Sequence, residues 1–133
     1  MKKILTFGVF DYFHMGHLRL FKQCREYGDY LIVGVQNSDY AVLQDPDKKM
    51  LYSTDERVEM IESLRIVDEV FVYNRLDTSI MESNDFDILA LGEDHIGDRF
   101  DMISDWCRDH GKSIVHMKRT PGISSSIIKN SLS

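Results

Sequence analysis

Residues 3–9 read as a nearly continuous apolar run, after which the chain turns through Phe10-Asp11-Tyr12-Phe13 into His14-Met15-Gly16-His17 and a helical pattern. A run without polar alternation suits a strand covered on both faces, and that requires helices on both sides of a parallel sheet. Leu31 to Val35 and Ile88 to Gly92 repeat the pattern, while Val67 to Val72 and Ser113 to Met117 supply two further strands. Helical stretches lie between them. His14 to Tyr27 places Leu18, Phe21 and Cys24 at helical spacing, with Gly28 expected just past its end. Ser53 and Glu56 form a capping box that opens a helix to about Leu64. Thr78 to Asn84, Phe100 to His110 (ended by Gly111) and Ser124 to Lys129 complete the set, and Gln36 to Tyr52 reads as loop. The alternation predicts an α/β fold: a Rossmann-like three-layer α/β/α arrangement with a five-stranded parallel sheet, as one domain over residues 1–133.

Ligands of such sheets bind beyond the carboxyl ends of the strands, where the strand order reverses. Asp11, His14 and His17 follow strand one, Glu93 and Asp94 follow strand four, and Arg119 and Thr120 follow strand five. The opening of the first helix is a ready anion site, because its N–H groups lack partners and its dipole favours negative charge. His14 and His17, three residues apart, would face the same side of that first turn, and Gly16 allows close backbone approach. Either protonation state of imidazole can donate to a phosphate oxygen. A metal site is the rival reading, but His-x-x-His supplies only two ligands.

The net charge of −6 argues against a nucleic-acid binder that works by neutralising phosphates. The charge is uneven, acidic over 82–109 and purely basic over 112–133, which permits a cationic pocket for a small anion. No apolar run approaches a membrane span, and Met1 leads straight into a strand, so a cytoplasmic protein with two reduced cysteines, Cys24 and Cys107, is expected.

Gly8-Val9-Phe10-Asp11-Tyr12-Phe13-His14-Met15-Gly16-His17 resembles the His-x-Gly-His signature of the nucleotidyltransferase superfamily, most closely the small bacterial glycerol-3-phosphate cytidylyltransferases. Arg119-Thr120-Pro121-Gly122-Ile123-Ser124-Ser125-Ser126 is similar to that family's second motif, more than 100 residues away. The same superfamily includes the class I aminoacyl-tRNA synthetases. His95-Ile96-Gly97-Asp98 only superficially matches their histidine motif, because it lacks the final histidine and follows the wrong strand.

The resemblance implies roles. His14, His17, Lys48 and Arg119 would be catalytic. Phe7, Gly8, Val9, Phe10, Gly16, Gly92, Asp94, Thr120, Gly122, Ile123, Ser124, Ser125 and Ser126 would join His14, His17 and Arg119 around the nucleotide. Asp11, Lys48, Arg57, Arg65, Glu93, Asp94 and His95 would serve the acceptor, and Asp11 would orient a histidine or hold Mg2+. Arg57 and Arg65 would share a helix face. His95 stands where the glycerol enzymes tend to have tryptophan, and Pro121 replaces a common glutamate.

The expected reaction is transfer of CMP from CTP to a small phosphorylated alcohol, glycerol 3-phosphate favoured, with Mg2+ present and no nucleic acid or membrane involved. The alternatives are another phosphorylated capsule or wall precursor as acceptor, an adenylyltransferase of the same superfamily, or a silent nucleotide-binding domain. The resemblance also implies a homodimer, for which Tyr73, Leu76, Ile80 and Met81 are the candidate apolar surface.

Overall fold

The computed structural model describes residues 1–44, 47, 49–92 and 95–118. The chain order is β1 (Lys3–Gly8), α1 (Met15–Tyr27), β2 (Tyr30–Gln36), α2 (Ser38–Gln44), α3 (Thr54–Glu62), β3 (Glu69–Tyr73), α4 (Thr78–Ser83), β4 (Ile88–Leu91), α5 (Asp98–Asp109) and β5 (Ser113–His116). The five strands form one sheet in the order β3-β2-β1-β4-β5, and each neighbouring pair is parallel. The apolar runs predicted this. Leu5 sits between Ile32 and Leu89 in register, so a one-residue slip would exchange the two buried faces.

Alternate side chains of the central strands feed two cores. Leu5 and Phe7 pack with Leu76, Ile80, Met81, Phe86, Ile103 and Cys107 on the α4/α5 side. Ile4, Val33 and Ala90 pack with Phe21, Cys24 and Ile61 on the α1/α3 side. The sheet is thus the middle of three layers, as expected. Both cysteines are free and buried. The predicted final helix, Ser124 to Lys129, lies outside the described residues.

Three expectations need correction. The stretch read as loop contains α2, which opens beside Asn37, whose side chain accepts the Asp39 N–H at 3.0 Å. Seven residues with no clear stripe gave the sequence pattern nothing to register. The α3 helix ends at Glu62 rather than near Leu64, so Arg65 lies beyond it and does not share a helix face with Arg57. Tyr73, Leu76, Ile80 and Met81 are not an apolar surface, being 8%, 5%, 6% and 1% exposed and part of the core.

Gly28 does follow α1, but its φ of −163° is extended backbone. Glycine is needed there for closeness, because a Cβ would lie 2.7 Å from Ile4 Cγ1 and 2.8 Å from the Lys2 carbonyl oxygen.

Candidate active site

The strand order reverses at β1, whose neighbours β2 and β4 continue the chain on opposite sides, and the residues beyond the ends of β1 and β4 therefore border the crevice. Beyond β1, Phe10 (φ 56°) and Tyr12 (φ 52°) take the left-handed conformation, which costs a residue with a side chain roughly 1–2 kcal/mol. Gly8 makes room for this turn: a Cβ on it would meet the Phe10 ring at 3.0 Å. Phe10 then packs edge-on against His17 and Phe21, at 5.3 Å in each case.

The α1 helix is capped by its own histidines. His14 is the N-cap, and its Nδ1 accepts the Gly16 N–H at 3.0 Å. His17 reaches back, and its Nδ1 accepts the His14 N–H at 3.2 Å. The two rings stack with centroids 3.9 Å apart. Because Nδ1 accepts in both, the neutral rings carry their protons on Nε2, and each is a donor there. Phe13 stacks on His17 at 5.3 Å. Burial lowers the His17 pKa to about 3, and any proton on the neighbouring His14 would lower it in the same direction. His17 is therefore a neutral donor at ordinary pH. The first turn of α1 holds no acidic residue to offset its dipole.

Beyond β4, His95 Nδ1 accepts the Gly92 N–H at 2.9 Å, and its ring stacks on Phe7 (5.2 Å) and Phe100 (5.0 Å). Burial lowers its pKa to about 4. Phe7, Gly8, Val9, Phe10, His14, Gly16, His17, Gly92 and His95 thus lie on or just beyond the ends of these two strands, as the sequence placed them. Sequence reasoning passed over Phe13 and Phe100. An aromatic residue four before His17 was the available signal for the first.

Asp11 and Arg57 behave differently from expectation. Asp11 is 4% exposed, and its carboxylate accepts the Leu51 N–H (2.9 Å) and the Tyr52 N–H (3.0 Å), one on each oxygen. Arg57 is fully buried. Its guanidinium donates to the Val9 and Gln36 carbonyl oxygens, both at 2.7 Å, to Ser38 Oγ at 2.6 Å and to Thr54 Oγ1 at 3.3 Å. Among the described residues its Nε has no hydrogen-bond partner. Burial lowers its pKa, and the nearby Asp11 charge opposes that. Arg65 is exposed.

A carboxylate that is 4% exposed, with a main-chain donor on each oxygen and a guanidinium nearby, does not fit an Mg2+ ligand, because that ion keeps several waters in a near-octahedral shell for which this buried site gives no room. Among the described residues no group of three or more His, Cys, Asp and Glu side chains could hold a metal ion. Lys48, Glu93, Asp94, Arg119, Thr120, Pro121, Gly122, Ile123, Ser124, Ser125 and Ser126 lie outside the described residues. No helix among those described is long and apolar enough to cross a membrane.

Residues 5–131 match the family described as cytidylyltransferase-like. A glycerol-3-phosphate cytidylyltransferase of Staphylococcus aureus is 35% identical over 135 residues, covering 99% of this chain and 96% of that one. An FAD synthase of Thermococcus kodakarensis is 31% identical over 111 residues, covering 82% and 73%. The crystal structure of a lipopolysaccharide core biosynthesis protein from Thermoplasma volcanium superposes with a TM-score of 0.72 at 24% identity, over 90% of this chain and 97% of that one, and so shares the fold.

Proposed function

This chain belongs to the cytidylyltransferase-like family and is a nucleotidyltransferase, and from that premise we propose that it transfers CMP from CTP to a small phosphorylated alcohol, with glycerol 3-phosphate first among acceptors. The observation that carries the reading is the stacked His14/His17 pair at the start of α1, both rings tied through Nδ1 to the main chain. The preference for glycerol 3-phosphate is supported by similarity to the staphylococcal enzyme over nearly the whole of both chains.

In the proposed reaction an acceptor phosphate oxygen attacks the α-phosphorus of CTP. A new P–O bond forms there, the bond to the β-phosphate bridging oxygen breaks, and pyrophosphate leaves with that electron pair. The attacking oxygen is already anionic near neutral pH, so neither a general base nor a covalent nucleophile is needed. Catalysis then consists of placement and of stabilising charge as it moves onto the leaving group. His14 and His17 supply Nε2–H donors for that charge. Neutral rings suit the task, since they need no proton exchange with solvent during turnover. Magnesium would help neutralise the phosphates, although no group of three or more His, Cys, Asp and Glu side chains among the described residues could hold it.

The relation to an FAD synthase makes adenylyl transfer from ATP the second reading. Pyrophosphate release from each nucleoside triphosphate, crossed with a panel of phosphorylated alcohols and FMN, separates the two. Release that requires CTP and glycerol 3-phosphate is the expected result. Release with ATP and FMN alone would transfer the assignment to the second reading, and none with any triphosphate would rule out both.

A further inference from the structure

We propose that Asp11 and Arg57 are positioning residues that lock the histidine turn to residues 51–57, and that neither touches a substrate or a metal ion. The inference rests on the nucleotidyltransferase reading of the histidine pair and adds to it a reason for two buried charges.

The geometry is a closed circuit of hydrogen bonds. From the turn after β1, the Asp11 carboxylate takes the N–H groups of Leu51 and Tyr52, forty residues further along the chain. The next residue, Ser53, caps α3 through its own capping box with Glu56. One turn into α3, Arg57 sends its guanidinium back to the carbonyl oxygen of Val9, two residues before Asp11. The same fork holds Gln36 at the end of β2, together with Ser38 and Thr54. The circuit therefore begins and ends within the three residues that lead into the histidine turn. It ties the ends of β1 and β2 to the start of α3.

Stability alone does not explain this arrangement. A buried guanidinium is costly to desolvate, and apolar residues of similar volume often serve a core as well or better. Among the described residues, Arg57 also leaves its Nε without a partner, which adds to that cost. What the arrangement does supply is a fixed path. The left-handed residues Phe10 and Tyr12 flank Asp11, so a turn under backbone strain is held at Val9 just before it and at Asp11 in its middle. Two residues before Leu51 stands Lys49, and the same bonds limit where that part of the chain can lie relative to the histidine rings. An error of about 1 Å in such placement can cost on the order of 100-fold in rate.

Two variants test the proposal. Asp11→Asn turns one of the two acceptors into a donor, and Leu51→Pro deletes one N–H at an exposed residue while leaving the carboxylate intact. Each should lose roughly 10- to 100-fold in kcat/KM, mostly in kcat, and exchange the Tyr52 amide proton on the order of tenfold faster than the parent. The Mg2+ concentration for half-maximal rate should stay where it is. Full activity in Leu51→Pro beside an inactive Asp11→Asn would overturn the proposal, because Asp11 would then act directly. So would an Asp11→Asn enzyme that needs much more Mg2+, since the carboxylate would then be a metal ligand. Should Asp11→Asn not fold, Leu51→Pro decides alone: unchanged rate and exchange overturn the inference, and loss of rate with faster exchange supports it. A parent protein that releases no pyrophosphate from any triphosphate would instead count against the nucleotidyltransferase reading, while the Tyr52 exchange rate would still report on the circuit.

Discussion

At the end of β1 two imidazoles stack at the start of a helix, and at the end of β4 a single imidazole is pressed between Phe7 and Phe100. The tether is the same in both places. A main-chain N–H three residues earlier donates to Nδ1, from His14 to His17 and from Gly92 to His95. Both rings are kept neutral by burial, with pKa values of about 3 and about 4. Their surroundings differ. The β1 pair sits at the positive end of the α1 dipole, which already favours an anion, and although the Gly16 and His17 N–H groups are taken by His14, the Nε2–H donors add to that field. His95 lies ahead of the capping residue of α5, Gly97, among apolar rings. A tethered neutral imidazole is therefore a way of fixing a donor, and the element beneath it decides what the donor serves. Under the proposed function, it serves phosphate in the β1 turn. After β4 it shapes the turn that leaves the strand.

Substitutions can break this contrast, and the largest effect is expected at His17. His17→Ala should lower kcat by about 10²–10³-fold, in line with the loss of a single donor to developing charge. Steady-state turnover of the variant checks this, and a near-normal rate would remove His17 from catalysis. His95→Phe keeps the stack but loses the acceptor for Gly92 N–H. One hydrogen bond of about 0.5–1.5 kcal/mol predicts only a roughly 3- to 10-fold fall in kcat/KM. If His95→Phe were as damaging as His17→Ala, the two strand ends would not be serving different purposes.

A third comparison is made by acid. The folded pKa values of His17 and His95 lie below the unfolded value of 6.5, so below pH 6.5 the unfolded chain binds protons that the folded one refuses. Stability should be complete above about pH 6.5 and fall as the pH drops toward 4, by at most about 1.4 kcal/mol per pH unit for each ring. Urea unfolding across this range measures the slope. His95→Phe should remove its own share of the slope and leave that of His17, and a slope unchanged by the variant would contradict burial of His95 as its cause.

The sheet was legible because runs such as Leu31 to Val35 have no polar face, and such runs have few other places to go. Ser53 with Glu56 announced α3 through a capping box that the structure contains. What composition and spacing hide is direction. Arg57 and Arg65 look alike on a helical wheel, yet the first is inside and the second lies past the end of the helix. The apolar residues of 73–81 marked a core as readily as a surface, because hydrophobicity does not say against what a side chain packs. In the site, the spacing of His14, Gly16 and His17 indicated one face of a helix, whereas the mutual capping that sets their tautomers required coordinates. Asp11 was recognisable as an acid out of place in a phosphate site. The backbone donors that account for it lie forty residues away, with no pattern in sequence to mark them.

The central claim is that His14 and His17 present neutral Nε2–H groups to the triphosphate of the nucleotide. Nitrogen-15 NMR of the two imidazoles, recorded at neutral pH with and without CTP, tests it most directly. The account predicts protonated Nε2 and bare Nδ1 in both rings, with Nε2–H signals that shift when CTP is added while those of His95 move far less. Rings protonated on Nδ1, or His14 and His17 signals indifferent to saturating CTP, would contradict it.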